Sequence, residues 1–125
     1  MKPDATFYAS PRIAMEAPVE TLAYTLILSP DGTEPDGLAV VDVDPQSATY
    51  DTIVHHVLMP NLGDEFHPFG WNACSSALSP LTGHAFLERR YLIVPGIRSS
   101  RIYIIDIKGG PKAAKLHRSS RPKRS

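Results

Sequence analysis

Four side chains capable of chemistry crowd into one stretch, Met59 to Ser76, which contains Asp64, Glu65, His67 and Cys74 together with the only tryptophan, Trp71. Carboxylate, imidazole and thiolate are the common transition-metal ligands, and a thiolate favours a soft ion such as copper. Long connections without their own secondary structure often carry function. The spacing matches no general metal motif, and each residue has an ordinary alternative. Cys74 suits a small buried side chain, Trp71 a core anchor, and His67 a hydrogen-bonded loop residue. Asp64 and Glu65 would ordinarily face solvent.

Other histidines carry less. His55-His56 falls within a predicted strand, so the two rings point to opposite faces and cannot chelate one ion together. One of them is expected to face the core or a neighbouring sheet. His84 and His117 stand alone. Arg98-Ser99-Ser100-Arg101 reads as a polar turn with a small capacity for anion binding. There is no Gly-x-Ser-x-Gly elbow, phosphate loop or dinucleotide glycine fingerprint.

The elements that must position this stretch are strands. Twelve prolines and eight glycines divide the chain into short runs, and no window carries a long apolar stripe of helical period. Strands are predicted at Leu22–Leu28, Leu38–Val43, Thr52–Leu58, Tyr91–Val94 and Ile102–Ile107, most of them bounded by turn residues. Pro3 to Pro18 reads as an irregular lead-in with one helical turn near Ala14–Ala17, and residues 60–88 as a long loop. A weak repeat is the most informative feature. Leu38-Ala39-Val40-Val41-Asp42-Val43 and Ile102-Tyr103-Ile104-Ile105-Asp106-Ile107 each follow an apolar strand and a turn, with the aspartates 64 residues apart. Such units recur in β-propeller blades, where each sheet needs neighbours to bury its faces. The fold expected is all-β, a partial β-propeller of antiparallel strands with long loops. It divides into a lead-in at 1–20, incomplete propeller at 21–118 and a basic disordered tail at 119–125.

The 125 residues suffice for one domain, and no window approaches the ~20 apolar residues of a membrane span. The first residues lack the basic-then-apolar layout of a secretory signal. A cytoplasmic location is therefore expected. Cys74 is the single cysteine, which rules out an internal disulfide and a cysteine-cluster zinc site. The net charge of zero conceals an asymmetry: twelve of thirteen acidic residues lie at or before Glu88, and eleven of thirteen basic ones at or after Arg89. The basic stretch from Lys112 onward reads as a solvated end rather than a nucleic-acid arm, because no aromatic is interleaved to stack on bases.

Several blocks, in order, resemble the selenium-binding protein family, whose members include methanethiol oxidases. They are Thr33-Glu34-Pro35-Asp36, Val41-Asp42-Val43-Asp44-Pro45, Met59-Pro60-Asn61-Leu62-x-Asp64-Glu65 and Gly70-Trp71-Asn72-x-Cys74-Ser75-Ser76. Ser99-Ser100-Arg101-Ile102-Tyr103 and Pro111-x-Ala113-x-Lys115-Leu116-His117 follow. The resemblance implies the first blades of a β-propeller. It also implies an oxidase converting methanethiol, dioxygen and water to formaldehyde, hydrogen sulfide and hydrogen peroxide, with copper as a cofactor and selenium carried on a cysteine. By that resemblance His67 is the metal ligand, Cys74 a ligand or selenium carrier, and Asp64 and Glu65 orient groups or shuttle protons. Trp71 walls the pocket.

Three features depart from the family pattern. His67-Pro68 stands where two adjacent histidines are usual, and Asp51 where some members carry a cysteine. Similarity ends after Arg118, and the downstream histidines of the family are missing. A shortened, inactive member is thus one expectation; the alternative is a non-enzymatic β module pairing with a separate chain that supplies the missing blades.

Overall fold

The computed structural model describes residues 3–73 and 85–120. Two antiparallel sheets account for nearly all of its regular structure. The first has the order β1 (Leu22–Ile27), β2 (Pro35–Asp42), β3 (Ile53–Leu62), and the second β4 (Gly70–Trp71), β5 (Tyr91–Pro95), β6 (Ile102–Asp106), β7 (Lys115–Ser119). The all-β antiparallel class expected from the sequence is observed. A five-residue helix, α1 (Pro11–Met15), occupies the lead-in, earlier than the expected turn; Ser10 Oγ accepts from the Ile13 amide, and proline is tolerated in the first turn.

Three elements differ from expectation. β3 runs on to Leu62, Gly70–Trp71 form a short strand, and Phe66 bridges Gly96, so the supposed loop is largely structured up to Ala73. The basic stretch after Lys112 is solvated but, as far as Ser120, not frayed: Lys115–Ser119 pair with β6, and the Ser120 amide donates to the Ile102 carbonyl. Leu116 is the single apolar residue of Lys115-Leu116-His117-Arg118, so the sequence shows no alternation there and the strand is defined by its pairing with β6. Residues 121–125 lie outside the described residues.

The repeat seen in the sequence is a repeat of structure. Leu22 opposes Asp42 in the first sheet as Tyr91 opposes Asp106 in the second. Both middle strands meet a register shift at the same place, between Val40 and Val41 and between Ile104 and Ile105. The partner strands accommodate it with one extra residue, Val54 in β3 and His117 in β7, which is a β-bulge. Each strand-ending aspartate accepts from the amide two residues on: Asp42 from Asp44, and Asp106 from Lys108. These short turns end the strands by the side-chain route open to aspartate.

One core lies between the sheets. Leu38 and Met59 from the first meet Leu92, Val94, Tyr103 and Ile105 from the second, with Phe66 filling in from the intervening turn. His55 donates its Nε2–H to the Ala114 carbonyl at 2.9 Å, while its neighbour His56 is exposed. The two rings take opposite faces, as strand periodicity requires. The faces are used in a consistent sense. Tyr24, on the core side of β1, has Ile93 as its counterpart in β5, and Ile93 lies on the side of the second sheet facing away from the core.

Asp106 is the most strongly perturbed carboxylate of the fold. The Arg90 guanidinium grips it with two hydrogen bonds, Nε to Oδ1 at 2.9 Å and Nη2 to Oδ2 at 2.7 Å, and the Lys108 amide adds a third. These partners hold its pKa well below the usual carboxylate range. Because the folded value is depressed, the resulting stability is present above the ordinary value of 3.8 and is lost as pH falls below it toward the folded value. Thermal unfolding followed from about pH 6 to about pH 2 should show a falling midpoint. Asp106→Asn should lower the midpoint at neutral pH and flatten this acid dependence; an unchanged acid limb would contradict the assignment.

Candidate functional site

The turn after β3 alternates in its direction. Asp64 and Phe66 are buried at 0% and 2% exposure, and between and after them Glu65 and His67 reach solvent. Glu65 adopts φ 53°, a left-handed conformation that L-residues rarely take. Such backbone persists only where its surroundings enforce it. Here the opposing turn does so: the Ile97 amide donates to the Glu65 carbonyl at 3.0 Å, and the Arg98 amide to that of Asp64 at 3.1 Å. The two turns approach so closely that a Cβ on Gly96 would stand 2.9 Å from the Asp64 carbonyl oxygen.

Asp64 is wholly enclosed and fully partnered. Arg101 Nη1 donates to Oδ1 at 3.0 Å, and the Tyr103 hydroxyl donates to Oδ2 at 2.8 Å. Asn61 Nδ2 in turn donates to that hydroxyl at 3.1 Å. Burial is the largest cause raising the Tyr103 pKa, so the phenol stays protonated as a donor. Asp36 makes a second link, accepting from the Ser29 amide on Oδ1 and from the Phe66 amide on Oδ2. Asn61, Asp36, Arg101 and Tyr103 had no assigned role from sequence, although all four lie in the blocks that carried the resemblance. The signal available was the pairing of Asp64-Glu65 with Arg98 and Arg101, two acids and two bases on turns that the sheets bring together.

Outside, Glu65 is shared. Its Oε2 lies 3.1 Å from Arg98 Nε and its Oε1 lies 3.9 Å from His67 Nε2. Both arginines of the Arg98–Arg101 turn are thus engaged by carboxylates. Glu65 and Arg98 also line a cleft of about 250 Å³ with Leu28, Ser29, Pro30 and Gly63. Trp71 stands apart on β4, edge-on to Tyr24 with ring centroids 5.8 Å apart, and with the Arg89 guanidinium 4.8 Å above its ring. Of the residues singled out from sequence, the structure joins Glu65 and His67, turns Asp64 inward, and seats Trp71 against Tyr24 and Arg89. Cys74 and His84 lie outside the described residues.

Among the described residues, no three His, Cys, Asp or Glu side chains converge to hold a metal ion. Glu65 and His67 offer two donors, and the Asp64 carboxylate is spent on Arg101 and Tyr103. Taken alone, this donor set does not fit a copper centre, which takes more than two ligands. What the corner does provide is an imidazole beside a carboxylate, in solvent, on a rigid turn.

The fold and site define an all-β protein of two repeated antiparallel sheets, with a carboxylate–imidazole corner on the turn between them. The chain belongs to the 56 kDa selenium-binding protein family, whose sequence profile matches residues 1–124. Selenium-binding protein 2 of Arabidopsis thaliana is 48% identical over 118 residues, covering 93% of this chain and 23% of the relative. The methanethiol oxidase of Homo sapiens is 45% identical over 118 residues, covering 93% of this chain and 24% of the relative. The X-ray structure of a hypothetical selenium-binding protein from Sulfolobus tokodaii superposes with a TM-score of 0.84 at 55% identity, covering 96% of this chain and 27% of that one. The chain therefore spans about a quarter of the length of these relatives. No described helix is long and apolar enough to cross a membrane.

Asp64→Asn would leave Arg101 without its counter-charge beneath the turn. The expected cost is about 2–3 kcal/mol, less than for a fully enclosed pair because 29% of the Arg101 side chain remains in solvent. Chemical denaturation of parent and variant measures it; equal stability would remove Asp64 from its central place.

Proposed function

We propose that this chain takes part in the oxidation of methanethiol, as one portion of a β-propeller. The observation that carries this reading is the close relation to a methanethiol oxidase over nearly the whole chain, a span that takes in the Glu65–His67 corner. Strain at Glu65 adds support, since left-handed non-glycine backbone concentrates at working sites. The overall conversion consumes methanethiol, dioxygen and water and yields formaldehyde, hydrogen sulfide and hydrogen peroxide. The carbon loses two electrons, and dioxygen gains them to become peroxide.

In this reading His67 takes the thiol proton of methanethiol, and Glu65 holds the imidazole in place while Arg98 holds Glu65. Asp64 positions the turn from within rather than exchanging protons with substrate, because both of its oxygens are occupied. Cys74 is the residue proposed to carry selenium, and Trp71 to wall the substrate region from β4. A copper ion at this corner would require donors beyond Glu65 and His67. A cytoplasmic setting accompanies the proposal, as suits a lone thiol.

The test follows release of hydrogen sulfide and hydrogen peroxide from methanethiol. The purified chain is assayed alone and together with the part of the Sulfolobus tokodaii relative that it does not cover. His67→Ala should lower turnover by about 100-fold with circular dichroism unchanged, in keeping with loss of a positioned acid–base group. A variant as active as the parent, or no product in either setting, overturns the proposal.

A further inference from the structure

The lead-in is tied to the sheets by hydrogen bonds rather than by a core. No residue from 3 to 20 is buried, α1 included, and Ile13, Met15 and Val19 are 46%, 86% and 91% exposed. An element that covers so little apolar surface opens at low cost while the rest stays folded. Two ties join it to the segment before β5. The Asp4 amide donates to the Ala85 carbonyl at 2.8 Å, and the Arg89 amide donates to Thr6 Oγ1 at 2.8 Å.

Thr6 is itself held in place. Asp4 Oδ1 accepts from the Thr6 amide at 2.9 Å and from the Thr6 hydroxyl at 2.7 Å, which turns the hydroxyl oxygen into an acceptor for Arg89. Asn72 fixes the residues on either side of Arg89. Its Nδ2 donates to the Glu88 carbonyl at 3.0 Å, and its Oδ1 accepts from the Arg90 amide at 3.0 Å. The Arg89 amide is thus held by the lead-in, between two neighbours held by Asn72. The Arg89 guanidinium lies 4.8 Å above the ring of Trp71, which meets Tyr24 edge-on. One residue therefore joins the lead-in, through its amide, to the face of Trp71, through its side chain.

We propose that residues 3–16 form a strap that opens without the sheets and whose release, passed on by Arg89, uncovers the face of Trp71. With the strap closed, the guanidinium caps the ring. With it open, the Arg89 amide loses its acceptor, and the residue turns between its two fixed neighbours. A cation–π contact at a partly exposed site is a weak tie, of the same order as one hydrogen bond, so losing the bond at Thr6 is enough to shift the balance. This deepens the reading of Trp71 as a wall of the substrate region, and rests on it: the strap then governs how a small thiol reaches that wall. Thr6 is a positioning residue acting on Trp71 through Arg89, and Asp4 acts through Thr6.

Trp71 is the only tryptophan, so its fluorescence reports the cap without a label. In the purified full chain, amide hydrogen exchange at Asp4, Phe7 and Arg89 should be faster than in the β5–β6 ladder by about 100-fold or more, as separate opening requires. Thr6→Val keeps the shape of the side chain and removes its hydroxyl. It should speed exchange at Arg89 by about fivefold and raise acrylamide quenching of Trp71 by about twofold, the scale of one lost hydrogen bond. Thr6→Ser should return both toward the parent values. Asp4→Asn, which loosens Thr6 without touching Arg89, should move both readings in the direction of Thr6→Val and by less. Far-ultraviolet circular dichroism should be the same throughout. Strap amides that exchange only together with the ladder, faster exchange at Arg89 with unchanged quenching, or Thr6→Ser behaving as Thr6→Val overturns the proposal. None of these readings uses methanethiol, so a strap that fails is distinguished from an activity that fails, which His67→Ala decides.

Discussion

The buried carboxylate of Asp64 sets the geometry around which the two sheets meet. A charge removed from water must be matched by charge and by hydrogen-bond donors, and here the match is drawn from three places: Arg101 at the start of β6, Tyr103 within it, and Asn61 behind Tyr103 near the end of β3. The exposed chemistry follows from this buried arrangement. With Asp64 and Phe66 directed inward, the residue between them turns outward through left-handed backbone, and His67 follows on the same side. The imidazole–carboxylate corner is thus the outer half of a structure whose inner half is an ion pair.

Other buried acids act in a similar local way. Asp36 holds the β1–β2 turn to the Phe66 amide, Asp42 gathers Ser47 and Thr49, and Asp106 grips Arg90. The Asp42 pKa is lowered chiefly by the Ser47 and Thr49 hydroxyls, that of Asp106 chiefly by Arg90. The same strand-ending residue therefore has different partners in the two sheets, neutral hydroxyls in one and a guanidinium in the other. What is common to both is the backbone bond to the residue two positions on, so the turn is the shared part and the neighbours are local.

Much of the framework was legible in the sequence. The five apolar strands and the repeated aspartates stood out because β-branched runs and turn residues act locally. β4 did not, since Gly70–Trp71 is too short to show a period and is defined by its pairing with β5. Nor did β7, since Leu116 is its single apolar residue and its positive charges are of the kind an edge strand tolerates in solvent. At the candidate site, composition gathered Asp64, Glu65, His67 and Cys74 into one stretch, of which the structure sets Glu65 and His67 side by side. Composition gave no hint that Asp64 would face the other way, because that depends on Arg101 and Tyr103 being brought from nearly forty residues downstream.

The consistent facing of the sheets gives the molecule a direction. Tyr24 looks into the core, while its counterpart Ile93 looks out of the far side of the second sheet. The two sheets are therefore related more nearly as successive steps of a staircase than as the halves of a clam shell. A clam shell satisfies itself on closing, since each half covers the other with the same surface. A staircase ends on a tread of the kind it has just hidden, and here that tread is the outer side of the second sheet, around Ile93 and Ile104.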